Sequence, residues 1–326
     1  MVCFIRLPSN GGHEKGEFMT QEISQPSPEK RGIKWVFVGS QGLRAGWGMA
    51  LFLAAFAGVA FALIMILHAL NIHGGKPGAD MLKPMDTLKD EALLAASAVL
   101  ATLITAAIER RKLAHLALGL KNALPRFLQG LILGVVAMCV LIGGLWLCKA
   151  VVIGPIVLHG QDVWTYGGQW ALVFLLVGIF EEFAFRGYLM QTLARGLNYR
   201  WATAIMGVLF VMVHAPSLGE GVIGLGLVFI AALVFSLSVW RTGTMWWAIG
   251  FHAAWDYTQS FVFGVADSGH LSAGTLMTAK PAGPDWLSGG ATGPEGSILA
   301  AVIMIVVAAV IWFTQRKPDE DLNVRF

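Results

Sequence analysis

The uncharged run Val163 to Phe180 ends abruptly in Phe180-Glu181-Glu182-Phe183-Ala184-Phe185-Arg186-Gly187. The run has the length and apolarity of a membrane-spanning helix. Charges at its end are expensive there. A charged side chain at the centre of a span costs about 2.5 to 3.5 kcal/mol on insertion scales. Three unpaired charges would cost roughly 8–10 kcal/mol on the same scales. The three must therefore pair or face a polar cavity, and by default such residues mark a site.

The rest of the chain agrees with a membrane setting. Of 326 residues, 56% are hydrophobic and only 13% charged, which excludes an ordinary soluble domain. The net charge of +3 is small and scattered, and no basic stripe interleaved with aromatics points to nucleic acid. Cys3, Cys139 and Cys148 have neither metal-ligand nor disulfide spacing. Cys139 and Cys148 lie in an apolar stretch and are expected in the core.

Eight spans are expected: about Trp47–Leu70, Ala92–Ile108, Phe127–Leu147, Val163–Thr192, Trp201–Ala215, Gly221–Trp240, Thr244–Phe263 and Ser297–Gln315. The fold class is an all-α polytopic membrane bundle. Residues 1–34 read as a disordered cytoplasmic tail, 35–315 as the transmembrane domain with a catalytic core at about 163–263, and 316–326 as a second cytoplasmic tail. No signal-peptide pattern precedes the first span, which reads as a signal anchor; either Met1 or Met19 could be the start. Between the second and third spans, Leu113, Leu116, Leu120 and Leu124 recur at helical spacing among basic residues, so 109–126 is expected to be a basic amphipathic surface helix. Lys and Arg concentrate in the tails and in alternate loops, which puts both termini in the cytoplasm.

Two later stretches are also polar within apolar runs: Phe210-x-x-x-His214 and His252-x-x-x-Asp256. His252 and Asp256 share a helix face, as do Glu182 and Arg186, which form the natural ion pair. Glu181 points about 100° away from Glu182 and is freer. At ~1.5 Å per residue from the expected cytoplasmic ends, Glu181 lies roughly 16 Å deep, His214 roughly 20 Å and His252 roughly 12 Å. One cavity could hold all three. His68 reads as an interhelical contact, and His13, His73, His115, His159 and His270 fall in tails or loops without a role.

A carboxylate and a histidine around a water form a general-base unit, and a second histidine can donate to an oxyanion. The same residue types, Glu181, His214, His252 and Asp256, could instead hold a divalent metal such as zinc. Intramembrane acids and histidines also serve proton relays, so a proton-coupled transporter is an alternative. A non-catalytic membrane scaffold is another. No serine or cysteine stands in a known spacing with a base.

Glu181-Glu182-x-x-x-Arg186, Phe210-x-x-x-His214 and His252-x-x-x-Asp256, in this order on separate spans, resemble the CPBP family of intramembrane proteases, which includes CAAX proteases and the Abi proteins. The stretch Trp286-Leu-Ser-Gly-Gly-Ala-Thr-Gly-Pro-Glu-Gly-Ser297 is similar to a loop of bacterial eight-span members. The resemblance implies an endopeptidase acting on membrane proteins or peptides, in a bacterial inner (plasma) membrane. It implies that Glu181 activates water with His214, that Glu182 and Arg186 support the site, and that His252 and Asp256 stabilise or orient the oxyanion. Asp256 departs from the eukaryotic CAAX enzymes, which resemble Asn there. The implied catalysis leans to glutamate without metal, and nothing in the sequence indicates a prenylated substrate.

Overall fold

The computed structural model describes residues 34–39, 42–72, 74, 81–215 and 222–315. The two expected tails, Lys34 apart, lie outside the described residues, and with them the cytoplasmic placement of the termini.

A helical turn, α1 (Lys34–Phe37), and a two-residue pairing of β1 (Val38–Gly39) with β2 (Gly42–Leu43) lead into α2 (Ala45–Ala69). Then come β3 (Met81–Leu82), α3 (Pro84–Ile108), α4 (Ala123–Leu147), β4 (Val151–Ile156) and α5 (Gln161–Phe185). The second half holds α6 (Tyr188–Gly196), α7 (Tyr199–His214), α8 (Val222–Thr242) and α9 (Trp246–Tyr257). A loop with β5 (Leu271–Ser272), β6 (Met277–Pro281) and α10 (Asp285–Ser288) precedes α11 (Ile298–Thr314).

The protein is a multi-pass membrane bundle. Four helices, α2, α3, α4 and α8, are long and apolar enough to cross a membrane, and α7 and α11 are shorter apolar helices. The remaining two expected spans correspond to α5, which ends in the acidic pair, and α9, which has 12 residues in α-helix. The bundle is not purely helical. β4 pairs antiparallel with β6 and β3 parallel with β5, both outside the long helices. The β-branched run Val151, Val152, Ile153 suits such a ladder.

At the centre α4 and α9 touch backbone to backbone. A Cβ added at Gly130 would sit 2.0 Å from the Trp247 carbonyl oxygen, and one at Gly250 would sit 2.1 Å from that of Phe127. Only glycine permits this approach, and it fixes the height of α9 in the bundle. Around this seam Met138, Leu141, Ile142, Leu145, Trp247 and Phe251 are buried in one cluster.

Three expectations are corrected. The fourth span is not one helix to Thr192: it breaks between Phe185 and Tyr188, where the Gly187 amide donates back to the Glu182 carbonyl at 3.0 Å. Gly187 lies so close to that turn that an added Cβ would fall 2.5 Å from the Phe183 carbonyl oxygen. Nor does 109–126 form a surface helix. It makes only the 3-10 turn Leu113–Leu116, ended by Ala117 at φ 60°, and Leu116, Ala117 and Leu118 are buried against the bundle. The Met245 amide donates to the Ala117 carbonyl, so tertiary docking outweighs the helical spacing. Finally, Cys139 and Cys148 are exposed rather than core. Apolar periodicity around the whole of a helix does not separate a lipid-facing side from a buried one.

Candidate active site

Three helices bring the site together. Glu181 and Glu182 lie in the last turns of α5, His214 ends α7, and His252 and Asp256 stand one turn apart on α9. Directly after α9 the chain widens into the π-helical turn Thr258–Val262. Single π turns inside helices recur at functional sites.

Glu182 is fully buried, and its Oε1 accepts from Arg186 Nη1 at 3.1 Å, the expected i, i+4 pair. The same Oε1 lies 3.3 Å from His252 Nδ1. Glu181 retains some exposure and lies between two imidazoles. His214 Nε2 is 3.7 Å from Glu181 Oε1, and His252 Nε2 is 3.6 Å from Glu181 Oε2. His252 Nε2 is also 3.5 Å from Asp256 Oδ2.

The tautomers follow from the partners. His214 Nδ1 lies 2.8 Å from the Phe210 carbonyl oxygen, which can only accept, so Nδ1 carries the proton. His252 Nδ1 faces a carboxylate in the same way. In both rings Nε2 is therefore the nitrogen turned toward Glu181. At 3.6 to 3.7 Å these are not direct hydrogen bonds, and such a gap between polar atoms is the span a bridging water fills.

These groups line a cavity of about 220 Å³. Its lining includes the apolar Trp170, Phe174, Phe235 and Met304. It also includes residues that the sequence did not single out: Glu91 from α3 and Asp267, His270 and Glu295 from the loop before α11. Glu91 falls one residue before the expected start of its span. Glu295 lies within the Trp286–Ser297 stretch, the one signal that could have found it.

The loop is anchored over the cavity. Trp170 Nε1 donates to the Ala273 carbonyl at 2.9 Å, Ser260 Oγ to Asp267 at 3.0 Å, and the Ser268 amide to Glu295 at 2.5 Å. Burial, reinforced by Asp267, pushes the Glu295 carboxyl up to about 8. Burial pushes Asp267 up to about 6, although the Ser260 hydroxyl opposes the shift.

Among the described residues, no group of three or more His, Cys, Asp or Glu side chains converges closely enough to hold a metal ion. Glu181, His214, His252 and Asp256 are neighbours, but as arranged they do not fit the zinc set considered from sequence.

No curated protein matches the chain. Residues 163–258 match the family model described as Rce1-like, type II CAAX prenyl endopeptidase. Glu181, Glu182, Arg186, His214, His252 and Asp256 all fall inside that stretch, and over it the chain is similar to the CPBP/CAAX proteases.

Proposed function

We propose that the protein is an intramembrane endopeptidase that uses a water activated by Glu181 and His214. The observation that carries this reading is the Glu181 carboxylate flanked by two Nε2 atoms, at 3.7 and 3.6 Å, on the wall of a cavity. A water there donates one proton to Glu181 and the other to His214 Nε2. As Glu181 takes its proton, the hydroxyl attacks the carbonyl carbon of the peptide bond. The resulting oxyanion accepts from His252 Nε2–H, with the ring oriented by Glu182 at Nδ1 and by Asp256 beside Nε2. Glu181 then delivers its proton to the departing amide nitrogen, and the C–N bond breaks to a carboxylic acid and an amine. Asp256, one turn beyond His252 and 3.5 Å from its Nε2, orients that ring. The substrate is a membrane-associated protein or peptide, consistent with a cavity that is largely apolar.

The test compares wild type with Glu181→Gln in proteoliposomes loaded with candidate membrane substrates, reading new termini by mass spectrometry. Loss of a positioned general base should reduce turnover by about 10²-fold or more. Equal cleavage by both proteins would refute the assignment. Cleavage abolished by a chelator and restored by zinc would turn the same residues into metal ligands.

A further inference from the structure

Arg186 is 1% exposed, and its Nη2 has no hydrogen-bond acceptor among the described residues. Aromatic faces surround it instead. Its guanidinium carbon lies 4.5 Å from the ring centre of Phe210 and 5.1 Å from that of Phe235. Both rings go on to meet a histidine. Phe210 lies 4.2 Å from the His214 ring, and Phe235 stacks on His252 at 5.0 Å with 20° between the planes. Phe235 is itself 4% exposed and braced edge-on by Phe251 at 5.9 Å.

Each imidazole is thus held in two ways: by one hydrogen bond at Nδ1 and by one phenyl ring. A hydrogen bond fixes a point and leaves the ring free to tilt about it. The 3.3 Å contact of His252 with Glu182 is long, so this freedom is real. A stacked ring removes it by fixing the plane. Phe210 belongs to the Phe-x-x-x-His motif, whereas Phe235 lies on α8, outside all three motifs.

We propose that Phe235 is a positioning residue, a wedge between Arg186 and His252 that holds the His252 imidazole with Nε2 directed at Glu181 and Asp256. Its effect on turnover rests on the endopeptidase reading. Phe235→Leu keeps an apolar side chain but removes the ring, and Phe235→Tyr keeps the ring. In cleavage assays Phe235→Leu should lower kcat about tenfold or more with KM within about twofold, because misplacing a reacting group is felt in the chemical step. Phe235→Tyr should recover most of kcat. An unchanged kcat in Phe235→Leu, or equal losses in the two variants, overturns the proposal.

A second measurement does not need turnover. Nitrogen NMR of His252 in the Glu181→Gln background should show one sharp set of ring resonances with Phe235 and doubled or exchange-broadened resonances with Leu at that position. A single unchanged set of ring resonances in both also overturns it. If wild type cleaves nothing while the His252 signal responds to Phe235→Leu, the endopeptidase reading fails and the positioning role stands.

Discussion

Glu181 and Glu182, adjacent on α5, address opposite nitrogens of the same ring: Glu181 Oε2 lies 3.6 Å from His252 Nε2, and Glu182 Oε1 lies 3.3 Å from His252 Nδ1. On an ideal helix successive side chains diverge by about 100°. The imidazole fits into that divergence, so one acid faces the cavity while the other is sealed behind it with Arg186. On the proposed endopeptidase reading, the two carboxylates separate into a working group and a structural one.

That separation predicts different outcomes for the two acids. Glu181→Gln should abolish cleavage while leaving the thermal midpoint in detergent close to wild type. Glu182→Gln should lower the midpoint, because it leaves the Arg186 charge buried without a counter-ion. Thermal unfolding followed by light scattering or intrinsic fluorescence distinguishes them, and identical midpoints for both variants would contradict the division.

The Arg186 side of the pair makes the prediction quantitative. Arg186→Ala should cost about 3–5 kcal/mol, the usual penalty for breaking a buried pair by removing one partner. The double variant Glu182→Gln with Arg186→Met should recover part of that loss, since no lone charge remains. Additive losses in the double variant would count against a tightly coupled pair.

Asp256 allows a chemical test of its role. If it orients His252 as an acceptor, Asp256→Asn keeps a carbonyl for that purpose and should retain activity within about tenfold, whereas Asp256→Leu should lose about 10²-fold, in the range of misplaced catalytic groups. Comparable loss in both would show that the negative charge is what matters.

Stability should fall as pH rises through neutrality. Glu295, pushed up to about 8, and Asp267, pushed up to about 6, bind more protons in the folded protein than in the unfolded chain. Their contribution is complete below the ordinary carboxylate range and is lost as pH climbs through 6 to 8. Thermal midpoints measured from pH 5 to 9 should show the decline, and Glu295→Gln should flatten its upper part. A midpoint rising over that range would refute the linkage.

The glycine seam predicts damage at a distance. Gly250→Val places a side chain where the Phe127 carbonyl lies, so α9 must shift and carry His252 and Asp256 with it. Overpacking of this kind costs about 1–3 kcal/mol, and turnover should fall further than stability. Wild-type activity in Gly250→Val would mean that the seam can relax.

The sequence alone determined the membrane setting and most helices, because long apolar runs and charge exclusion are properties of consecutive residues. It also singled out Glu181, Glu182, Arg186, His214, His252 and Asp256, because polar groups are conspicuous against apolar surroundings. The i, i+4 geometry of Glu182 with Arg186 was readable for the same local reason. Other features depended on partners far away in the chain. The break at Gly187, the buried Leu116–Leu118 segment and the exposure of Cys139 were decided by what packs beside them. Glu91, Asp267, His270 and Glu295 gave little local signal, since acids and histidines near span ends and in loops are ordinary there. Only the packing of α3 and of the loop before α11 around the site placed them at the same cavity. Likewise the wedge of Phe235 between Arg186 and His252 is invisible in sequence, because a phenylalanine in an apolar helix looks the same whichever neighbour its ring meets.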